Sequence, residues 1–311
     1  MTGSAVKRAP ITGVAVTIAT FAAVGIAITA RLVSDNAPTL LHVGSPLVSS
    51  LHIGSSFRPI SACVVAVVLF LAGVVSGLSG FAFSAVAACS LWLLPPLQAV
   101  PLLMLLSACN QLLSAGALRK ELVLRSTAER EGALAYIAGG LVGVPIGLGL
   151  LQALPTRVFA CSLGLFLIAY SILVLFKPDS LRVKLSGWRP AAAVGAAGGI
   201  IGGFSAFPAA IPAVYLGLRG LSKTETRSIT QPYILVLQLI SLGILALTRH
   251  AIFDMQFWLL WALTLPAVLV GTWTGVSFYR RFSEVNFRRA VLILLLVSGI
   301  SLVLKALIRS T

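Results

Sequence analysis

Gly73-Val-Val-Ser-Gly-Leu-Ser-Gly-Phe-Ala-Phe-Ser-Ala85 interrupts one of the most apolar parts of the chain with three glycines and three serines. Glycine inside a helix costs about 1 kcal/mol relative to alanine, and lipid offers no water to the backbone groups that a broken helix frees. Irregular backbone persists at membrane depth only where protein surrounds it or where it lines a cavity. The stretch therefore reads as a purposeful break in a membrane span.

The surrounding sequence agrees. The 311 residues are 58% hydrophobic and 10% charged, with mean hydropathy +1.02, whereas a soluble domain carries about 25% charged residues. Apolar runs of roughly 20 residues recur, each able to cross about 30 Å of hydrocarbon. The net charge of +15 reads as basic residues held in short loops, which orient membrane proteins, and not as a nucleic-acid surface. Cys63, Cys89, Cys109 and Cys161 lie in apolar runs without metal or redox spacing, and read as small core residues. Lys7 and Arg8 precede an apolar run from about Ile11 to Ala30. Its length exceeds a signal-peptide core of about 7–15 residues and predicts a retained first helix.

The chain divides into an N-terminal helix with an external polar segment (1–59), a first transmembrane repeat (60–176), a cytoplasmic basic linker (177–189) and a second repeat (190–311). Each repeat holds four apolar segments: 60–94, 99–118, 132–151 and 157–176, then 190–218, 230–248, 257–278 and 288–308. Gly73-Val-Val-Ser-Gly77 matches Gly198-Gly-Ile-Ile-Gly202, Gln111-Leu-Leu-Ser-Ala-Gly116 matches Gln238-Leu-Ile-Ser-Leu-Gly243, and Gly143-Val-Pro-Ile-Gly147 matches Gly271-Thr-Trp-Thr-Gly275. The offsets are 125, 127 and 128, so the order is kept with small insertions, as a duplication requires.

Charge bears on orientation. If every segment crosses once, Lys and Arg divide 13 inside to 10 outside; if 60–94 and 190–218 each enter and return as a hairpin, the split is 17 to 6. The second obeys the positive-inside rule far better. It predicts an all-α polytopic membrane protein built of two inverted four-segment repeats with broken re-entrant hairpins, plus the extra N-terminal helix.

The breaks are expected at Ser79–Ser84 and Gly203–Pro208. Interrupted segments at corresponding places in two halves are the best sequence pointer to a transporter's binding site near the midplane. Half-helices starting there would aim N–H groups and a positive dipole end at an anion. The candidate substrate-binding residues are Ser79, Gly80, Ser84, Gly203 and Ser205 at the breaks, with Asn110, Gln111 and Gln238 on the following helices. Ser114 and Ser241 stand one turn further on, and Gln231 and Tyr233 are lesser candidates. The competing reading is packing of helices through small residues and amides. All eight acidic residues (Asp35, Glu121, Glu129, Glu131, Asp179, Glu225, Asp254, Glu284) and His42, His52 and His250 are placed in loops. No proton relay, metal ligand or general base is then expected in a span, no cofactor is called for, and an enzyme or cation pump is disfavoured.

The pattern resembles the TauE/SafE family, also called toluene sulfonate uptake permeases, whose repeats open with G-x-x-S-G-x-x-G-x-G-G-G. Gly73, Ser76, Gly77 and Gly80 fit the first copy, with Ala82-Phe83-Ser84 in place of the triple glycine. In the second, Gly203 aligns, Ser205-Ala206-Phe207 replaces the triplet, and Pro208 and Pro212 follow. The stretch Gly217-Leu-Arg-Gly-Leu-Ser-Lys223 is similar to the family's next loop. The resemblance spans about residues 60–308. It implies a bacterial inner-membrane permease that moves a small sulfur-containing anion (sulfite, sulfonate or sulfoacetate), with alternating access by rocking of the two halves. A permease for another small anion, and a non-transporting scaffold or assembly protein, stay open as alternatives.

Overall fold

Alternating apolar and punctuated stretches give helices throughout, with no strand among the described residues. The computed structural model describes residues 59–88, 94–125, 132–176, 183, 185–278 and 284–308; the predicted first helix and the polar segment before residue 59 lie outside these. Among the described residues the first half comprises α1 (Pro59–Ser79), α2 (Phe83–Ala87), α3 (Pro96–Arg125), α4 (Gly132–Ala153) and α5 (Thr156–Leu175). The second comprises α6 (Trp188–Ser205), α7 (Ala210–Arg219), α8 (Lys223–Thr248), α9 (Met255–Phe278) and α10 (Glu284–Ile308). Among the described residues five helices are long and apolar enough to cross a membrane: α3, α4, α5, α8 and α9. Leu134, Val142, Leu165, Leu247 and Leu263 are exposed, a surface suited to lipid and not to water. The chain is a polytopic α-helical membrane protein.

The most extensive interfaces join α4 to α6, α1 to α9, α5 to α10 and α3 to α8. Exchanging the halves (α1 for α6, α3 for α8, α4 for α9, α5 for α10) leaves that set unchanged. Glycine makes the first two interfaces possible, because small residues let helix backbones touch. A Cβ on Gly73 would lie 2.6 Å from the Val268 carbonyl oxygen, and one on Gly77 2.5 Å from that of Thr272. At the other interface Gly199 meets the Gly140 carbonyl and Gly203 the Val144 carbonyl. Gly271 and Gly275 meet the carbonyls of Phe70 and Val74, as Gly143 and Gly147 meet those of Ala196 and Ile200.

These contacts set the register. Gly73 corresponds to Gly199 and Gly77 to Gly203, an offset of 126 where the sequence match used 125. Gly198-Gly199 and Gly202-Gly203 are doublets, so G-x-x-x-G reads equally well one residue earlier. Only the backbone contacts separate the two alignments.

Contact order gives helix directions. α1 runs parallel to α9 (Phe70 against Gly271, Val74 against Gly275), and α4 parallel to α6 (Gly143 against Ala196, Gly147 against Ile200). α5 and α10 cross antiparallel, with Gly164 against Val303 and Gly299 against Ile168. The α6–α7 segment leaves one end of the molecule and returns to it. The Val183 amide donates to the Leu218 carbonyl (3.0 Å) and the Tyr215 hydroxyl to the Leu185 carbonyl (2.7 Å), beside the start of α6. At the far end Arg249 Nε donates to Gln152 Oε1 at 3.1 Å.

Residues 218–229, expected as a loop, are mostly helix. Gly220 (φ +81°) closes α7, and a capping box between Ser222 and Glu225 opens α8 at Lys223. The tight turn leaves no room for a loop, so Arg227 falls in the second turn of α8 and is buried. Glu225, Glu121 and Glu284 likewise lie on helices and not in loops.

Candidate substrate site

Each half breaks its first helix in the same way. α1 ends at Ser79, and Gly80 follows with φ +88°, its amide donating to the Ser76 carbonyl at 2.6 Å. α6 ends at Ser205, and Ala206 follows with φ +60°, its amide donating to the Gly202 carbonyl at 2.8 Å. A left-handed residue stops a helix and turns its own carbonyl aside, and in lipid that carbonyl needs a protein donor. Gln111 Nε2 supplies it to Gly80 (3.1 Å), and Gln238 Nε2 supplies it to Ala206 (2.9 Å). The two clasps correspond residue for residue, at offsets of 126 and 127.

The polar surroundings differ. Asn110 Nδ2 donates to Ser76 Oγ, and Asn110 Oδ1 accepts from Thr272 Oγ1, both at 2.6 Å. This ties α3 to α1 and α9. At the corresponding places around the second break stand Leu237, Gly202 and Val144, so that break lacks the network. Asn110 therefore spends both ends of its amide holding helices together.

Arg227 reaches from α8 into the first break and is 2% exposed. Its Nη1 donates to the Gly77 carbonyl at 3.1 Å. Gln231, with its amide oxygen turned toward the guanidinium, accepts from Nε at 3.0 Å and Nη2 at 3.2 Å. The aliphatic stem lies over Gly80, where a Cβ would stand 2.8 Å from Arg227 Cγ. Sequence reasoning missed this residue by counting it among the loop cations. The Ser222-x-x-Glu225 capping signal, one turn ahead, would have placed it inside the helix.

The remaining candidates divide. Ser79 is the last residue of α1, and its side chain is not among those described. Ser84 is buried in the first turn of α2. Gly203 packs against the Val144 carbonyl and Leu148, and Ser205 Oγ donates back to the Ile201 carbonyl of its own helix at 2.8 Å. Tyr233 donates to the Gly195 carbonyl at 2.8 Å, a helix-packing bond. Gln111 Oε1 and Ser114 Oγ, one turn apart and buried, have no hydrogen-bond partner among the described residues.

The breaks do not meet at one point, as the sequence had suggested. They touch α8 at Arg227 and at Gln238, eleven residues apart, which is about 16 Å along a helix. The cause is length: α1 and α6 run 21 and 18 residues before breaking, and half-depth takes only about ten. The structure thus gathers Gly80, Asn110 and Gln111 with Arg227 and Gln231 at one break, and Ser205 with Ala206 and Gln238 at the other.

Among known proteins, the family model described as Sulfite exporter TauE/SafE matches residues 65–302. No curated protein and no solved structure matches the chain.

Proposed function

The chain belongs to the TauE/SafE family, and from that membership we propose that it is a bacterial inner-membrane permease moving a small sulfur-containing anion of the sulfite, sulfonate or sulfoacetate class by alternating access. The observation that carries the reading is the pair of corresponding clasps, Gln111 on Gly80 and Gln238 on Ala206. Paired helix breaks in two halves are the architecture secondary transporters use to bring backbone groups to a substrate. An inverted relation of the halves is supported by α5 and α10, which occupy corresponding places and cross antiparallel. With the basic loops facing the cytoplasm, the first break lies toward the inner face and the second toward the outer.

The anion passes between the breaks along α3 and α8. Gln111, Ser84 and the backbone around Ser79 and Gly80 receive it on the inner side, and Gln238 with the turn after Ser205 on the outer. Asn110 and Gly203 hold the helices that frame this path. The moving bodies are hybrids of the two repeats, because the glycine interfaces bind α1 to α9 and α4 to α6. Rocking then separates those pairs from each other, not one repeat from the other.

Flux of sulfite into proteoliposomes tests this. Saturable uptake by the wild-type protein, falling about tenfold or more in Gln111→Leu and Gln238→Leu through loss of hydrogen bonds worth about 1–3 kcal/mol each, is the expected result. No uptake of sulfite, methanesulfonate or sulfoacetate by folded wild-type protein would sink the reading.

A further inference from the structure

The two breaks share a shape but not their moorings. Among the described residues three side chains from neighbouring helices hold the first: Gln111 on the Gly80 carbonyl, Asn110 on Ser76 Oγ and Arg227 on the Gly77 carbonyl. Asn110 is tied onward to Thr272 of α9. One side chain holds the second, Gln238 on the Ala206 carbonyl, since Ser205 spends its hydroxyl on Ile201 of its own helix. We propose that the two gates of the permease work differently: the second opens by rearranging its own turn, hinged at Ala206 and latched by Tyr170 against Phe207, while the first moves only as a block with α3, α8 and α9. This rests on the permease reading above and adds the gating of its outer side.

Three further observations carry it. The second turn is strained and the first is not: Ala206 holds φ +60°, whereas the left-handed residue of the first break is Gly80. Strain of this kind collects at switch segments and is released when they rearrange, and glycine stores none. The second turn also folds back on its own helix, where a Cβ on Gly202 would lie 2.6 Å from Pro208 Cβ. It can therefore change shape without unpacking a neighbouring helix. Finally, Phe207 is buried, and what it meets from α5 is the ring of Tyr170, edge-on at 5.8 Å. An aromatic edge contact parts and re-forms without stripping a buried polar group of its partner. The repeat by itself argues the other way, since two halves of common origin would open alike.

Hydrogen–deuterium exchange of the full chain in lipid nanodiscs decides between them, because the Gly80 and Ala206 amides make corresponding bonds to the Ser76 and Gly202 carbonyls. Corrected for intrinsic rates, the Ala206 amide is expected to exchange about tenfold or more faster, as fewer hydrogen bonds break when its turn opens. Tyr170→Leu is expected to speed it about threefold further and to leave Gly80 unchanged. Tyr170→Phe keeps the ring edge and is expected to match the wild type. Exchange at Gly80 as fast as at Ala206 in the wild type overturns the proposal, and so does a folded Tyr170→Leu that leaves Ala206 unchanged; sulfite uptake into proteoliposomes would stand in both cases. A wild-type protein that carries neither sulfite nor methanesulfonate overturns the permease reading and this inference with it.

Discussion

Ala206 holds a left-handed φ of +60° without being glycine, which costs about 1–2 kcal/mol for an L-residue. Ala206→Gly should relieve that strain against about 0.5–1 kcal/mol of added unfolded-chain entropy, leaving the melting temperature in detergent at or above wild type. Gly80→Ala should lower it, since it adds the strain and drives a Cβ to 2.8 Å from Arg227 Cγ. The Asn110 network offers a second comparison. Thr272→Val removes the donor to Asn110 Oδ1, and a buried acceptor left bare costs about 1–3 kcal/mol. Ser76→Gly, Asn110→Leu and Thr272→Val together install what already surrounds the second break, and should cost clearly less than the sum of the three single changes. Strict additivity in the melts would contradict the correspondence. At this scale Gly80 and Gln111 were legible as sequence, being glycine and an amide in apolar runs. Ala206 was not, because nothing in its type signals a positive φ. Arg227 was misplaced because charge alone does not say on which side of a helix cap a residue falls.

The glycines along α4, α6 and α8 are not interchangeable. A side chain on Gly143 would collide with the Ala196 carbonyl, whereas Gly149 and Gly243 have open space around the added atom. Gly143→Leu should therefore cost more than the usual 1–3 kcal/mol of overpacking and abolish a monodisperse peak in size-exclusion chromatography. Gly149→Ala and Gly243→Ala should be neutral or stabilising by up to about 1 kcal/mol; equal damage from all three would show that the contacts are misassigned. Gly243 belongs to a repeated motif, so repetition alone overstated its role. The cores of the elements were readable from hydropathy and the breaks from Gly and Pro punctuation, but the ends of α3, α8 and α10 ran past the apolar runs into charged sequence. The register was not, because a glycine doublet satisfies two alignments and only contact with a distant helix chooses.

Across the whole molecule, burial of Arg227 takes one cation from the expected inner loops and leaves 16 facing 6. The orientation bias survives it. With the native cysteines replaced, a membrane-impermeant maleimide should label His250→Cys in intact cells and leave Ser186→Cys unlabelled until the cells are opened. Both positions are exposed, and they lie at opposite ends of the molecule by the Val183–Leu218 and Arg249–Gln152 bonds. Labelling of Ser186→Cys from outside would overturn the topology. The helical, membrane-spanning character of the chain could be read from one sequence. That each half seats its first helix on the other half's fourth, α1 on α9 and α6 on α4, could not, since hydropathy records the medium around a helix and not its neighbour.

That exchange has a consequence for biogenesis. The glycine face of α4 meets Ala196 only 53 residues after Gly143 has been made, but the face of α1 at Gly73 waits for Gly271, 198 residues later. At about 5–20 residues per second, the first groove is covered within seconds, while the second stays open to lipid for about 10–40 s of translation. During that interval α1 is an apolar helix without its mate, and whatever shields it in the membrane, lipid or insertion machinery, must let go when α9 arrives.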